Sequence, residues 1–424
     1  MISEHASPLA QMGSVDAGGQ NVYVAHTAKR LASLGYEVDI FTRRDDADLP
    51  TVVRWQPGIR IIHVDAGPPR FVRKEELLPA MAPFAERVVE VARRADARGD
   101  GYRLVHAHFF MSGLVARRLK EELALPYVVT FHALGRVRLL HHGTDDFPAE
   151  RGVLEELVME DADAIVAECP QDALDLCTHY ACDPRRITII PCGFDPQEFA
   201  AIDRAEARRR LDLDPSRPLI LQLGRMVPRK GVDNVIRAMR PLRDDHGVHA
   251  ELLVVGGNAD TPDPVATPEL GRLMRVADEC GVVDSVRFLG RRPRDELRDY
   301  YCASDVFVTT PWYEPFGITA VEAMACGVPV IGARVGGIQY TVQDGRTGFL
   351  VEPKDPTGLA HRLAQLFSDP AIPRLFGQRA RRRAYQLFTW HRVAEQLDAL
   401  YRHVGGVRRS ASDAMPFAFT QQVG

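Results

Sequence analysis

Residues 305–330 read DVFVTTPWYEPFGITAVEAMACGVPV. The β-branched run at its start reads as a buried strand, and ITAVEAMA reads as a helix that Gly327 and Pro329 close. Gly317 stands at the helix mouth, where unpaired N–H groups point outward. One acid, Glu314, lies just before the helix, and a second, Glu322, follows eight positions later and two turns inside it. PVIGA then resumes a strand. Strand, loop, helix and strand in this order are the unit of a parallel sheet covered by helices.

The same unit recurs along the chain. The second half carries the strand candidates PLILQLG, AELLVVGG, VRFLG, DVFVTT, PVIGA and GFLVE, and the first half EVDIFTR, IRIIHVDA, LVHAH, YVVTFH, AIVAE and RITIIPCG. Both sets alternate with amphipathic segments, so the expected fold is α/β, two doubly wound domains. Between them, the charged and proline-bearing residues 193–217 read as a linker with no core element. The last residues, GGVRRSASDAMPFAFTQQVG, have the composition of a loose tail. The chain reaches Ser3 after two residues, so either the true start lies a few codons upstream or the first sheet tolerates a gap at its central strand.

At 424 residues, 46% hydrophobic and 26% charged, the chain suffices for two cores, which excludes fibrous and disordered classes. Its formal net charge of −4 provides no global field for nucleic acid. The seven cysteines form no C-x-x-C pair and no signal peptide precedes them, which points to a reducing cytoplasm. No apolar run reaches the roughly 18 residues that a membrane span needs.

In open α/β sheets ligands bind beyond the carboxyl ends of the strands. Gly18 and Gly19 open a helix there, either as a plain tight turn or as a close approach of backbone to a ligand. After PLILQLG, Arg225, Arg229 and Lys230 gather before a helix start, where cations oppose the helix dipole. A solvated basic turn is one reading, and a bound diphosphate, which would resolve the conflict, is the other. Glu314 is placed to accept hydrogen bonds from hydroxyls and Glu322 to take the two hydroxyls of a ribose, unless both merely complement the helix start. His132 ends a buried strand at the matching position of the first domain, structural or catalytic. His106, His108, His141 and His142 lack metal-ligand spacing, so no zinc site is expected.

Taken jointly, DAGGQNVYV, GRMVPRKG and EPFGITAVE resemble the family-4 retaining glycosyltransferases, over nearly the whole chain. The resemblance implies the B fold, two Rossmann-like domains facing a central cleft. Residues 1–200 would form the acceptor domain and 201–384 the nucleotide-sugar domain, with 385–403 the helix crossing back and 404–424 the tail. It implies that Arg225 and Lys230 bind the donor diphosphate, that Glu322 holds the ribose, and that Glu314 with the backbone of Phe316, Gly317 and Ile318 holds the sugar. Arg292, or its neighbour Arg291, would pack on the base, Gly19 would approach the donor, and His132 would orient the donor sugar. No cofactor is required and no metal is essential.

Within the family, DAGGQ, FHALGR and RKEELLP most resemble the sucrose-phosphate synthase group and the inositol-phosphate transferases. Gln20 favours the first and VDAGGxNVYV the second, and the donor nucleotide, UDP, GDP or ADP, is open. Lys74 and Arg151, otherwise surface cations, align with positions that hold the acceptor phosphate, and Gln20 joins them on the acceptor side. The tyrosine and threonine that assist this phosphate appear here as Phe109 and Ala133, which favours fructose 6-phosphate over an inositol phosphate. QYTV after VGGI replaces the usual acid. The rivals are a catalytically silent sugar-nucleotide binder and, more remotely, a phosphorylase, for which no pyridoxal-phosphate lysine loop is recognisable.

Overall fold

A computed structural model of the protein describes residues 1–10 and 18–405; the expected tail lies largely outside the described residues, as do Asp16 and Ala17 of the glycine loop. Seven strands build the first sheet: β1 (Val38–Arg43), β2 (Val52–Gln56), β3 (Ile59–Val64), β4 (Val105–His108), β5 (Tyr127–Thr130), β6 (Ala164–Ala167) and β7 (Ile187–Ile189). Six build the second: β8 (Leu219–Leu223), β9 (Glu251–Val255), β10 (Val286–Gly290), β11 (Val306–Thr309), β12 (Val330–Ala333) and β13 (Gly348–Val351). Every sequence-read strand is present. The one missed, β2, alternates exposed and half-buried residues and pairs antiparallel to β3 at the sheet edge. Strands such as β1, β4 and β11 are buried at every position, as continuous apolar runs covered on both faces must be.

The second sheet is wholly parallel with order β10-β9-β8-β11-β12-β13. Its order reverses between β8 and β11, and the crevice at that switch point receives the loops after both strands. In the first sheet the ladders β1-β3-β2 and β4-β5-β6-β7 are joined by the segment Met1–Glu4. Ile2 bridges Phe41 on one side and Ala107 on the other, with its N–H donating to His106 O at 2.9 Å, while Phe41 N donates to Met1 O and Arg43 N to Glu4 O, each at 3.0 Å. These few residues thus stand where the central strand was expected to be cut short.

The linker departs from expectation. It holds a helix, Arg204–Arg210, and buries Phe194, Phe199 and Ala207 completely. The reason is that its charges are satisfied internally: Arg208 donates to Ala303 O at 2.9 Å and Asp305 Oδ2 at 2.8 Å. The chain crosses back beside it. Phe194 N donates to Phe388 O at 2.8 Å and Trp390 N to Phe194 O at 3.1 Å, and the helix Trp390–Val404 then returns to the first domain, where Asp398 accepts from Tyr36 Oη at 2.7 Å. One apolar cluster runs from Val24 and Ile40 through Phe194 and Trp390 to Phe316 and Met324, so both domains share a core at the crossing. Among the described residues all seven cysteines are free, and no helix is long and apolar enough to cross a membrane.

Candidate active site

The two switch points face one another across a cavity of about 470 Å³. Two loops bring the charged motifs to its second-domain wall, and the loops after β9 and β10 complete it. The loop after β8 carries Arg225, Arg229 and Lys230, and the loop after β11 carries Glu314 to Gly317. Gly231, at φ 64°, lets these loops touch: a Cβ there would lie 2.0 Å from Thr310 O. Gly336 does the same for the acid-bearing turn, because a Cβ on it would stand 1.8 Å from Glu314 O. The VGGI segment therefore braces the backbone of Glu314, with Gly337 N donating to Glu314 O at 3.0 Å, whatever its QYTV continuation lacks.

Lys230 and Glu314 form an ion pair and hydrogen bond at the cavity wall. Burial raises the affinity of the Glu314 carboxyl for a proton, but Lys230, Arg229 and Arg225 outweigh it and hold the group below the ordinary carboxylate range. Arg225 and Arg229 have no ion-pair or side-chain hydrogen-bond partner among the described residues. Burial, then the charge of Arg225, lowers the Arg229 pKa to about 10. This wall is short of negative charge.

Glu322 is in a different setting. It is 2% exposed, and burial raises its pKa against the pull of Arg294. Its Oε2 accepts from Tyr301 Oη at 3.0 Å, while Oε1 lies 2.9 Å from Arg294 Nη2 in an ion pair. Neither that oxygen nor that nitrogen completes a hydrogen bond, so a polar pair at the cavity margin is left half-satisfied. Arg294 was not singled out in the sequence reading. It also binds Glu198 at 2.7 Å, linking the crossing segment to the acid. Arg292 is pinned by Tyr300 Oη at 2.9 Å and Asp260 O at 2.7 Å, and Arg291 is ion-paired to the exposed Asp260. Both line the cavity, as do Phe316, Gly317 and Ile318.

From the first domain come Gly19, Gln20, Lys74, Phe109, His132 and Ala133. The bare backbone of Gly18 stands beside the Arg225 guanidinium, about 4.0 Å from a Cβ built there. His132, in left-handed backbone conformation at φ 58°, pairs through Nδ1 with Glu168 Oε1 at 2.7 Å and through Nε2 with His108 Nδ1 at 3.2 Å. Glu168 was missed, although it ends the buried strand AIVAE as His132 ends YVVTFH. His106 and His108 stack inside the core, ring centroids 4.2 Å apart, with no acid between them. The ligand atoms of His26, Asp195 and Glu198 do converge within 4.8 Å, but Arg30 and Arg294 already hold the two acids at 2.9 and 2.7 Å, so a cation there would meet two guanidiniums.

Arg151 is a correction. It is no surface cation but 3% exposed at its side chain, and it is absent from the cavity wall. Its Nε binds Glu155 at 2.8 Å, Nη1 Asp145 at 3.0 Å and Nη2 Ala133 O at 2.6 Å, and its guanidinium lies against Phe109, Phe110 and Phe147. The acids and carbonyl satisfy it from behind, and the aromatic rings exclude it from the cavity.

Residues 17–198 match the profile of Glycosyltransferase Family 4 and residues 203–383 that of Glycosyl transferases group 1. A D-inositol 3-phosphate glycosyltransferase of Streptomyces bingchenggensis is 37% identical over 97% of this chain and 90% of that protein. The chain belongs to the GT-B glycosyltransferases. A relative of the same description from Corynebacterium efficiens is 37% identical over 98% of both chains. A solved structure, the sucrose-phosphate synthase of Thermosynechococcus elongatus, superposes with a TM-score of 0.85 at 34% identity, covering 96% of this chain and 98% of that one. In this glycosyltransferase the cavity lies between the two matched regions, and the loops after β8 and β11 contribute Arg225, Arg229, Lys230 and Glu314 to its wall.

Proposed function

We propose that this glycosyltransferase moves a hexosyl group from a nucleotide-diphosphate sugar to a small phosphorylated acceptor, with retention at the anomeric carbon. The observation that carries the reading is the second-domain wall. Among the described residues the side chains of Arg225 and Arg229 are unpaired beside Lys230, and Glu322 offers a half-satisfied oxygen further along the same cavity. A diphosphate neutralises the first group, and a ribose hydroxyl completes the second.

In this reading Arg225 and Lys230 stabilise charge on the departing diphosphate, a role for which fixed cations need no metal. Glu314, held ionised, accepts hydrogen bonds from the sugar hydroxyls. Gly317 and its neighbours supply backbone N–H groups at the helix start. The Glu168 contact fixes the ring of His132, whose place beside the cavity suits it to orient the donor sugar. Among the described residues Glu314 is ion-paired to Lys230, and Glu168, in the cavity wall, is bound to His132. In this reading the acceptor oxygen attacks from the leaving-group face, and the departing phosphate takes its proton. Closure of the domains excludes water and limits hydrolysis.

Fructose 6-phosphate is the favoured acceptor, because Phe109 and Ala133 line the cavity without the hydroxyls that would assist an inositol phosphate. The second reading, D-inositol 3-phosphate, is supported by the relatives at 37% identity that bear that description. Incubation with UDP-, GDP- and ADP-sugars and both acceptors, with detection of released nucleotide and NMR of the new anomeric centre, tests the proposal. An inverted product removes the retaining mechanism, and nucleotide binding without turnover of any acceptor identifies a silent binder.

A further inference from the structure

With the donor diphosphate assigned to Arg225 and Lys230, the cavity still holds more positive charge than one ligand can neutralise. Among the described residues the Arg229 side chain has no ion-pair or hydrogen-bond partner. Across the cleft Arg138, from the helix Gly135–His142, has only a share in one acid: Asp145 binds Arg151 at 3.0 Å and Arg138 at 3.4 Å. Arg151 also holds Glu155, whereas Asp145 is the one acid that Arg138 contacts among the described residues, and the Arg138 side chain remains 21% exposed in the cavity wall.

These two guanidiniums belong to different domains but to one neighbourhood. His142 lines the same cavity and feels both charges. Burial, then Arg229, then Arg138 depress its pKa to about 4, and its Nε2 is buried without a hydrogen-bond partner. Trp312, whose N–H fixes the Arg229 carbonyl at 2.9 Å, packs its ring 6.2 Å from that of His142, so the loop carrying Arg229 rests on the first-domain helix. Like charges in a half-buried wall repel, and a protein can leave them so when an anion completes the site.

We propose that Arg138 and Arg229 jointly seat the phosphate of the acceptor, one guanidinium from each domain, in the role that alignment alone would give to Arg151. This rests on the reading of the acceptor as phosphorylated. A dianion held from both sides ties the domains together, so that the acceptor itself contributes to closing the cleft over the donor. Two planar forks fit a phosphate bidentately, whereas a neutral hydroxyl group offers neither charge nor lone pairs enough for both.

The test uses the full chain and three variants, Arg138→Met, Arg229→Met and Arg138→Lys, each with its melting temperature recorded. KM and kcat are measured for fructose 6-phosphate, D-inositol 3-phosphate and their unphosphorylated forms, and the Kd of the free nucleotide is measured by calorimetry. Each methionine variant should raise KM for the phosphorylated acceptor about tenfold, lower the preference over the unphosphorylated form by the same factor, and leave nucleotide Kd within about twofold; Arg138→Lys should recover part of the loss. If the parent prefers phosphorylated acceptors and the variants keep that preference, the seat is elsewhere while the proposed function stands. If Arg229→Met weakens nucleotide binding instead, Arg229 belongs to the donor diphosphate and the inference fails. A parent that prefers unphosphorylated acceptors overturns both.

Discussion

The two walls of the cavity are built on opposite plans. The second-domain wall, proposed for the donor, comes largely from neighbouring loops at one switch point, and its backbone is held by close contacts, as when Gly231 meets Thr310 and Gly336 meets Glu314. It leaves polar groups incomplete. The first-domain wall, proposed for the acceptor, draws on segments such as those of Gln20 and Phe147, and packing decides which side chains reach the cavity. It turns Arg151 inward and Phe109 outward. Where a strand end fixes the backbone, a motif places its side chains; where helix and loop packing decide, the residue type alone does not.

The largest difference should come from the ion pair that heads the donor wall. Lys230→Ala and Glu314→Gln should each abolish transfer, yet only the first should weaken free nucleotide, by about 1.5 to 3 kcal/mol or roughly 10- to 150-fold, because Glu314 meets the sugar alone. Calorimetry on both variants checks this, and equal losses would show that Glu314 reaches the nucleotide.

Next come two arginines with opposite expectations from sequence. Arg151→Met should lower folding stability by about 3 kcal/mol, since Glu155 and Asp145 lose a buried counter-charge, with the acceptor preference unchanged. Arg294→Met should cost a similar amount by stranding Glu322, and should weaken nucleotide binding as well. Denaturant titration separates the cases. A stable Arg151→Met with a raised acceptor KM would restore that residue to the acceptor site.

Acid should act unequally on the domains. Burial holds His106 and His108 well below their ordinary 6.5 and lowers His26 to about 3. Their unfolded forms bind protons first as pH falls below 6.5, so the first domain loses stability on the way down, and for His26 the loss continues to about pH 3. Glu322 in the second domain, with its pKa raised, works the other way, because folding favours its protonated form; Asp172, which burial and Glu168 raise to about 8, does the same in the first domain and offsets part of the loss from its three histidines. Hydrogen exchange between pH 7 and 5 should show protection falling in β4 and β5 before β8 and β11. Equal losses in both sheets would contradict this.

The smallest effect tests the missing hydroxyls. Phe109→Tyr should add one neutral hydrogen-bond donor to the acceptor wall, worth about 1 kcal/mol, and improve KM for D-inositol 3-phosphate about fivefold relative to fructose 6-phosphate. No change in that ratio would remove Phe109 from the argument about acceptor choice.

Much of this was legible in the sequence. The strands showed as apolar runs because parallel sheets are buried on both faces, and Arg225, Lys230 and Glu314, proposed for the donor, follow the ends of β8 and β11 in the loops that reach the cavity. Glu168 carried the same signal at the end of AIVAE and could have been found by it. Arg294 could not, because its partners Glu198 and Glu322 are distant in sequence and meet it only in the folded chain. Arg151 misled for a similar reason. Its partner Glu155 was visible four residues on, but the three phenylalanines that enclose it come from two other segments. The linker hid its buried Phe194 and Phe199 among charges that Arg208 and its partners neutralise internally.

The crossing at Phe194 and Thr389 has a mechanical consequence. A single tether would leave two bodies free to roll, twist and bend about it. Here two chain segments run side by side, joined by hydrogen bonds of 2.8 and 3.1 Å and set in the aromatic packing of Trp390 and Phe388. Such a double leaf resists torsion and shear and yields most easily to folding across its width. Any opening of the cleft is therefore expected to bend across that width rather than twist about it, which keeps Gly18 in line with Arg225.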